Sequence, residues 1–162
     1  MPRKLGFVFP GQGSQSIGML SEHFADSKIF NNTFDIAREV LGVDFKKLIL
    51  EGTAEDLSAT QVTQPLLLTA NHAIWKITNI SPSEVELMAG HSLGEYSAYV
   101  AAESLDFEEA LTLVSLRAKF MQEAVKEGEG GIAAIIGLNY SELLAICNEI
   151  TEDGNLVSMA NI

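Results

Sequence analysis

Apolar positions along the chain fall into two textures, short continuous runs and longer stretches with helical spacing. LGFVF (Leu5 to Phe9) and VELMAG (Val85 to Gly90) are apolar nearly throughout and run into glycine-rich turns, which predicts two short buried strands. Between them Phe30, Phe34, Ala37 and Leu41 recur at helical spacing, and Gly42 supplies a C-terminal stop. Thr53-Ala-Glu-Asp56 has the form of a helix start, and Pro65 fits the first position of a helix whose apolar face is Leu67, Ala70, Ile74 and Ile77. After the second strand, EYSAYVAA reads as a helix. Asp106-Phe-Glu-Glu109 has capping-box spacing and opens a long helix reaching to about Lys126.

From Gly128 the texture changes. GEGG is a flexible joint, followed by GIAAIIGL as a strand, YSELLAICNEI as a helix and NLVSMANI as a second strand. The pattern predicts a joint at Gly128 and one β-α-β unit after it. A lone unit of that kind leaves sheet edge and apolar face uncovered unless more chain packs on it.

Composition narrows the function. The 162 residues are 47% hydrophobic and 20% charged, enough apolar material for a sizeable core. Ten basic and 22 acidic side chains give a formal charge of −12, which argues against a nucleic-acid partner and means that an anionic substrate needs a local cation to hold it. The single cysteine, Cys147, has no internal disulfide partner and reads as a small buried residue. MPRKLGFVFPG offers only a short apolar run before Pro10, so neither a leader nor a membrane span is expected, and the expected compartment is the cytoplasm.

Candidate chemistry sits in GHSLGEYSA, Gly90 to Ala98, where Ser92 lies between glycines in the G-x-S-x-G spacing of a nucleophile elbow. A serine hydroxyl becomes nucleophilic only when it is exposed, held in reach and hydrogen-bonded to a base. An apolar strand before Gly90 and a helix pattern after Gly94 supply the first two conditions. They also put the Leu93 N–H at a helix N-terminus, where an oxyanion would develop. His91 is not the expected base: adjacent side chains at a strand end point to opposite faces, so its ring is expected to hydrogen-bond structurally and hold the turn. His23 and His72 lie in helical stretches without a neighbouring motif. The serine thus has no base in sight. PGQGSQ, after the first strand, has glycines that let backbone approach a reacting carbonyl, and it lacks the Lys-Ser/Thr of a phosphate loop.

Four blocks, FVFPGQGSQ, TQPLLLTA, GHSLGEYSA and LRAKFMQEA, together resemble the malonyl-CoA:acyl-carrier-protein transacylase family, in its order and at similar separations, over essentially the whole chain. Related acyltransferase domains of polyketide and fatty-acid synthases share them. The resemblance implies an α/β-hydrolase-like large subdomain, of which 1–127 is the N-terminal part, and a ferredoxin-like small subdomain that begins at 128–162 and is truncated. It implies an S-malonyltransferase of fatty-acid biosynthesis working by a ping-pong scheme through a malonyl-Ser92 acyl-enzyme, with the backbone N–H groups of Gln12 and Leu93 as oxyanion hole. Arg117, which spacing alone reads as a surface arginine bonding Glu123, is implied to pair with the malonyl carboxylate. Met121, one helical turn on, lines the acyl pocket by the same resemblance, and Gln64 and Asn161 match residues near it. No permanent cofactor and no metal are implied. The substrates are malonyl-CoA and the phosphopantetheine arm of acyl carrier protein, which is the expected partner, with no membrane. The family's catalytic histidine matches no residue here, so the 162-residue chain alone is expected to be inactive. A serine hydrolase or thioesterase of the elbow class, and a non-catalytic fragment, are the alternatives.

Overall fold

A computed structural model gives the fold and describes residues 4–126, 128–152 and 154–161. The chain divides into two compact units, Met1–Glu127 and Gly128–Ile162. In the first, strands β1 (Leu5–Phe9) and β2 (Val85–Gly90) pair in parallel, with Leu5 opposite Val85 and Phe9 opposite Gly90. Parallel strands cannot be joined by a tight turn. The connection is a run of helices: α1 (Ser21–Asp26), α2 (Lys28–Leu41), α3 (Phe45–Glu51), α4 (Ala54–Ser58) and α5 (Thr60–Thr78). After β2 come α6 (Leu93–Ala101) and α7 (Phe107–Glu123).

Local chemistry explains most boundaries. Ser27, Asp44, Thr53 and Asp106 each accept a hydrogen bond from a first-turn N–H of the helix that follows, satisfying donors a helix start leaves open. Gly42 ends α2 in the left-handed conformation at φ 71°. One boundary differs from expectation. Pro65 lies inside α5. The helix starts ahead of it because the Ala59 carbonyl accepts from both Val62 and Thr63 N–H, each at 2.8 Å, and Thr63 Oγ1 donates to the Leu57 and Ala59 carbonyls. That turn closes without needing the N–H that proline lacks.

The core lies among α2, α3, α5, α6 and α7, with Phe30, Phe34, Phe45, Ile49, Leu66, Leu68, Leu93 and Leu111 almost fully buried. A second cluster ties the sheet to the helices: Phe9, Ala98 and Ala101 pack around Trp75, and the Phe7 ring meets Trp75 edge-on with centroids 5.0 Å apart. Among the described residues the strands are therefore covered on one face only. Phe7 and Phe9 point to the helices while Val8 and Leu87 are 80% and 63% exposed, so the expectation of fully buried strands fails by the alternation of the pleat.

In the second unit, α8 (Tyr140–Ile150) forms where expected, capped by Asn139, with unpaired Cys147 buried on its inner side. The strands expected on either side of α8 are absent among the described residues of this unit, which pair only through a single bridge between Glu152 and Asn155. A strand exists by pairing, and neither segment has a partner strand among the described residues of this unit; Ile132 and Ile136 are 86% and 94% exposed. No helix among the described residues is long and apolar enough to cross a membrane.

Candidate active site

β2 ends at Gly90 and α6 begins at Leu93, so the chain turns from strand to helix over His91 and Ser92 alone. Ser92 takes φ 54° and ψ −108°, a backbone geometry that a residue with a side chain adopts only under constraint. The constraint is packing. A Cβ on Gly90 would sit 2.0 Å from the Gly94 carbonyl carbon, and one on Gly94 would sit 2.1 Å from the Phe9 carbonyl oxygen. The two glycines let α6 start directly against both strands, and Ser92 is left exposed at the tip. His91 is exposed too. Its carbonyl accepts from Gly94 N–H at 2.9 Å, but its ring makes no hydrogen bond among the described residues, so the turn is held by backbone rather than by the imidazole as expected.

The loop after β1 lies beside this turn, since a Cβ on Gly11 would come within 2.8 Å of the His91 carbonyl oxygen. Internal bonds shape it: Ser14 Oγ donates to the Gly11 carbonyl at 2.9 Å and Gly13 N–H to Gln15 Oε1 at 2.8 Å. Gln12 Nε2 reaches Thr60 Oγ1 at 3.2 Å, tying the loop to the start of α5. Both loops leave the carboxyl ends of parallel strands, where open α/β sheets bind ligands.

Arg117, on α7, closes the site. Its Nη2 donates to Ser92 Oγ at 2.9 Å and its Nη1 to Gln64 Oε1, and its guanidinium stands over the Tyr96 ring at 5.6 Å. Gln64 is 1% exposed, and its Nε2 points to Met121 Sδ at 3.3 Å. One chain of contacts thus runs from Met121 through Gln64 and Arg117 to Ser92. Glu123, the alternative partner for Arg117, pairs instead with Lys119 at 3.9 Å. A guanidinium has five donors, so with two engaged it can still meet a carboxylate. It cannot take a proton from the serine.

No histidine bonds to Ser92 among the described residues. His23 packs on Phe30 with centroids 5.3 Å apart. His72 stacks on Phe107 at 4.3 Å, its Nδ1 buried without a partner. Burial, helped by the positive charge of Lys76 and opposed by Asp106, lowers its pKa from 6.5 to about 4.

Comparison with known proteins gives the family. The model of the acyl transferase domain matches residues 6–159. The chain belongs to the acyl transferase family. It is 50% identical over 159 residues to the malonyl CoA-acyl carrier protein transacylase of Salmonella typhimurium, covering 98% of this chain and 51% of that protein. Among solved structures, the malonyl CoA-acyl carrier protein transacylase of Coxiella burnetii superposes with a TM-score of 0.86 at 49% identity, covering 92% of this chain and 48% of that one. A malonyl-transacylase in complex with a type II PKS acyl-carrier protein superposes with a TM-score of 0.84 at 45% identity, covering 91% and 48%. The chain spans about half the length of the relatives it matches.

Of the candidate residues in this acyl transferase chain, the fold brings Ser92, Arg117, Gln64 and Met121 into one network and lays the Gln12 loop against the Ser92 turn. Asn161 lies in the second unit, exposed and without a side-chain hydrogen bond among the described residues. Sequence reasoning missed Thr60, Tyr96 and Asn71. Thr60, Gln64 and Asn71 follow one another at helical spacing along α5, a polar stripe readable in the sequence once the helix is started at Thr60. Starting it at Pro65 cut that stripe in two. Among the described residues no group of three or more His, Cys, Asp or Glu is placed to hold a metal.

Proposed function

We propose that this chain provides the nucleophile and the acyl-carboxylate grip of a malonyl-CoA:acyl-carrier-protein S-malonyltransferase of fatty-acid biosynthesis. The observation that carries it is the guanidinium of Arg117 2.9 Å from Ser92 Oγ, a fixed cation beside an exposed hydroxyl in a chain of formal charge −12. A plain serine hydrolase of the same turn geometry has no use for a cation there. In the proposed reaction Ser92 Oγ attacks the malonyl thioester carbonyl, the C–S bond breaks, and coenzyme A leaves as the thiol with the proton that the serine gave up. The phosphopantetheine thiol of acyl carrier protein then attacks the malonyl ester and restores the serine. Leu93 N–H, at the start of α6, and Gln12 N–H are the proposed donors to the oxyanion. Arg117 keeps Gln64 through Nη1 and offers its remaining N–H groups to the malonyl carboxylate, with Met121 lining the acyl chain.

The fold this assigns to Met1–Glu127 is the N-terminal part of an α/β-hydrolase-like subdomain with a nucleophile elbow at Ser92, and to Gly128–Ile162 the start of a ferredoxin-like one. The reaction uses no permanent cofactor, and the compartment is the cytoplasm. The serine needs a base, and His23, His72 and His91 are not bonded to it, so the base comes from outside these residues. The test supplies it. A fusion of this chain to the second half of the Salmonella typhimurium relative is expected to move malonyl from coenzyme A to acyl carrier protein, and Ser92→Ala to abolish the transfer. Transfer that survives Ser92→Ala, or release of free malonate with no carrier loading, overturns the assignment, the latter in favour of a thioesterase.

A further inference from the structure

A second polar link lies in the core behind the Ser92 turn. Asn71 on α5 and Ser97 on α6 are 8% and 2% exposed. The Asn71 Nδ2 donates to the Pro10 carbonyl and to Ser97 Oγ, both at 3.0 Å, which uses both hydrogens of the amide. Pro10 is the root of the loop that carries Gln12. Ser97 is one turn along the helix that Leu93 opens.

The bond to Pro10 has a directional consequence. A trans peptide holds its N–H opposite its carbonyl, so drawing the Pro10 carbonyl into the core turns the Gly11 N–H the other way. The next peptide is fixed by Ser14, whose hydroxyl and N–H both reach the Gly11 carbonyl, at 2.9 and 3.4 Å. That sets the direction of the Gln12 N–H, which belongs to the same peptide. Close approach of β1 and α6 is already secured by Gly94 against the Phe9 carbonyl. What Asn71 adds is the setting of the loop relative to the helix.

We propose that Asn71 is a positioning residue that fixes the Gln12 N–H relative to the Leu93 N–H, by gripping the Pro10 carbonyl and Ser97 Oγ with one amide nitrogen. This rests on the acyl-transfer reading of Ser92. The substrate carboxylate is held by Arg117 on a different helix, so loss of Asn71 weakens the hold on a tetrahedral adduct while leaving the grip on a free carboxylate intact.

The test uses the fusion described above, which supplies the base that Ser92 needs, and two probes. A carboxyl-bearing alkylboronic acid adds to a reachable serine: the B–Oγ bond forms, the hydroxyl proton passes to water, and boron becomes a tetrahedral anion detectable by boron NMR. Malonate, followed by calorimetry, reports the carboxylate grip alone. Asn71→Ala is expected to weaken the boronate roughly tenfold to a hundredfold and malonate by less than about twofold. Ser97→Ala removes one arm of the grip with little change of volume and is expected to weaken the boronate about threefold, again without effect on malonate. Should Asn71→Ala lose its helical circular dichroism, Ser97→Ala decides. A Ser92-dependent adduct as tight in the variants as in the parent, or parallel loss of both ligands, overturns the role of Asn71 alone. No adduct in the parent, or one that survives Ser92→Ala, overturns the reading of Ser92 and this inference with it.

Discussion

Arg117 is held by the residues around it before any substrate arrives. Gln64, buried on α5, presents its oxygen to Nη1, and the guanidinium carbon stands 5.6 Å from the centre of the Tyr96 ring, so the side chain has little rotamer freedom left to lose if a carboxylate binds it. Arg117→Ala in the fusion enzyme is expected to cut malonyl transfer by about 2 kcal/mol, roughly thirtyfold, while acetyl transfer falls less or rises, because acetyl has no carboxylate to lose. Rates with malonyl- and acetyl-CoA check this, and equal loss on both would refute the pairing. Gln64→Leu keeps the volume but frees the guanidinium. It should raise the KM for malonyl-CoA by about tenfold, with a smaller effect on kcat.

Between elements, the site depends on how closely α6 meets the two strands. The Gly94 hydrogen faces the Phe9 carbonyl, and that backbone oxygen cannot move aside as a flexible side chain would. Gly94→Ala is therefore expected to destabilise the first unit by at least about 2 kcal/mol and to spoil acylation of Ser92 even in the surviving folded fraction. Urea unfolding gives the first quantity and the acylation rate per folded molecule the second. A stable, fully active Gly94→Ala would mean the turn is not built by this contact. The elements themselves were largely legible. Leu5–Phe9, Val85–Gly90 and Tyr140–Ile150 form over the residues that their apolar runs or helical spacing mark. Two features were not. The start of α5 hid behind Pro65, because proline signals a first turn wherever it stands, while here Thr63 and Ala59 close an earlier turn. The segments flanking α8 carry strand-like sequence, but a strand forms only by pairing, and among the described residues the second unit offers no strand for them to join.

At the scale of the whole molecule, His72 couples stability to pH. Its pKa is lowered from 6.5 to about 4 in the folded chain, chiefly by burial against Phe107. A depressed pKa means that the unfolded chain binds this proton first, so the stabilisation is complete above about pH 6.5 and is lost as pH falls toward 4. Its ceiling is about 3 kcal/mol, reduced by the partial exposure of the ring. His72→Phe keeps the stack without the titration and is expected to lose less stability than the parent between pH 7 and pH 4.5 in urea unfolding. Identical slopes for the two proteins would show that the carboxylates alone drive acid unfolding.

The sequence by itself determined what depends on neighbours along the chain: the glycine spacing that lets a strand turn into a helix at Ser92, the caps, the apolar faces, and the family, whose blocks are local words. Tertiary structure alone decided what depends on residues far apart in the chain. Gln64, Ser92 and Arg117 sit on three helices or their ends and meet only because α5, α6 and α7 pack on one core, and Asn71 finds the Pro10 carbonyl only across that packing. Periodicity records which face of a helix is buried. It carries no record of which partner the buried face will meet, since burial is rewarded by area and a hydrogen bond by the position of a particular atom.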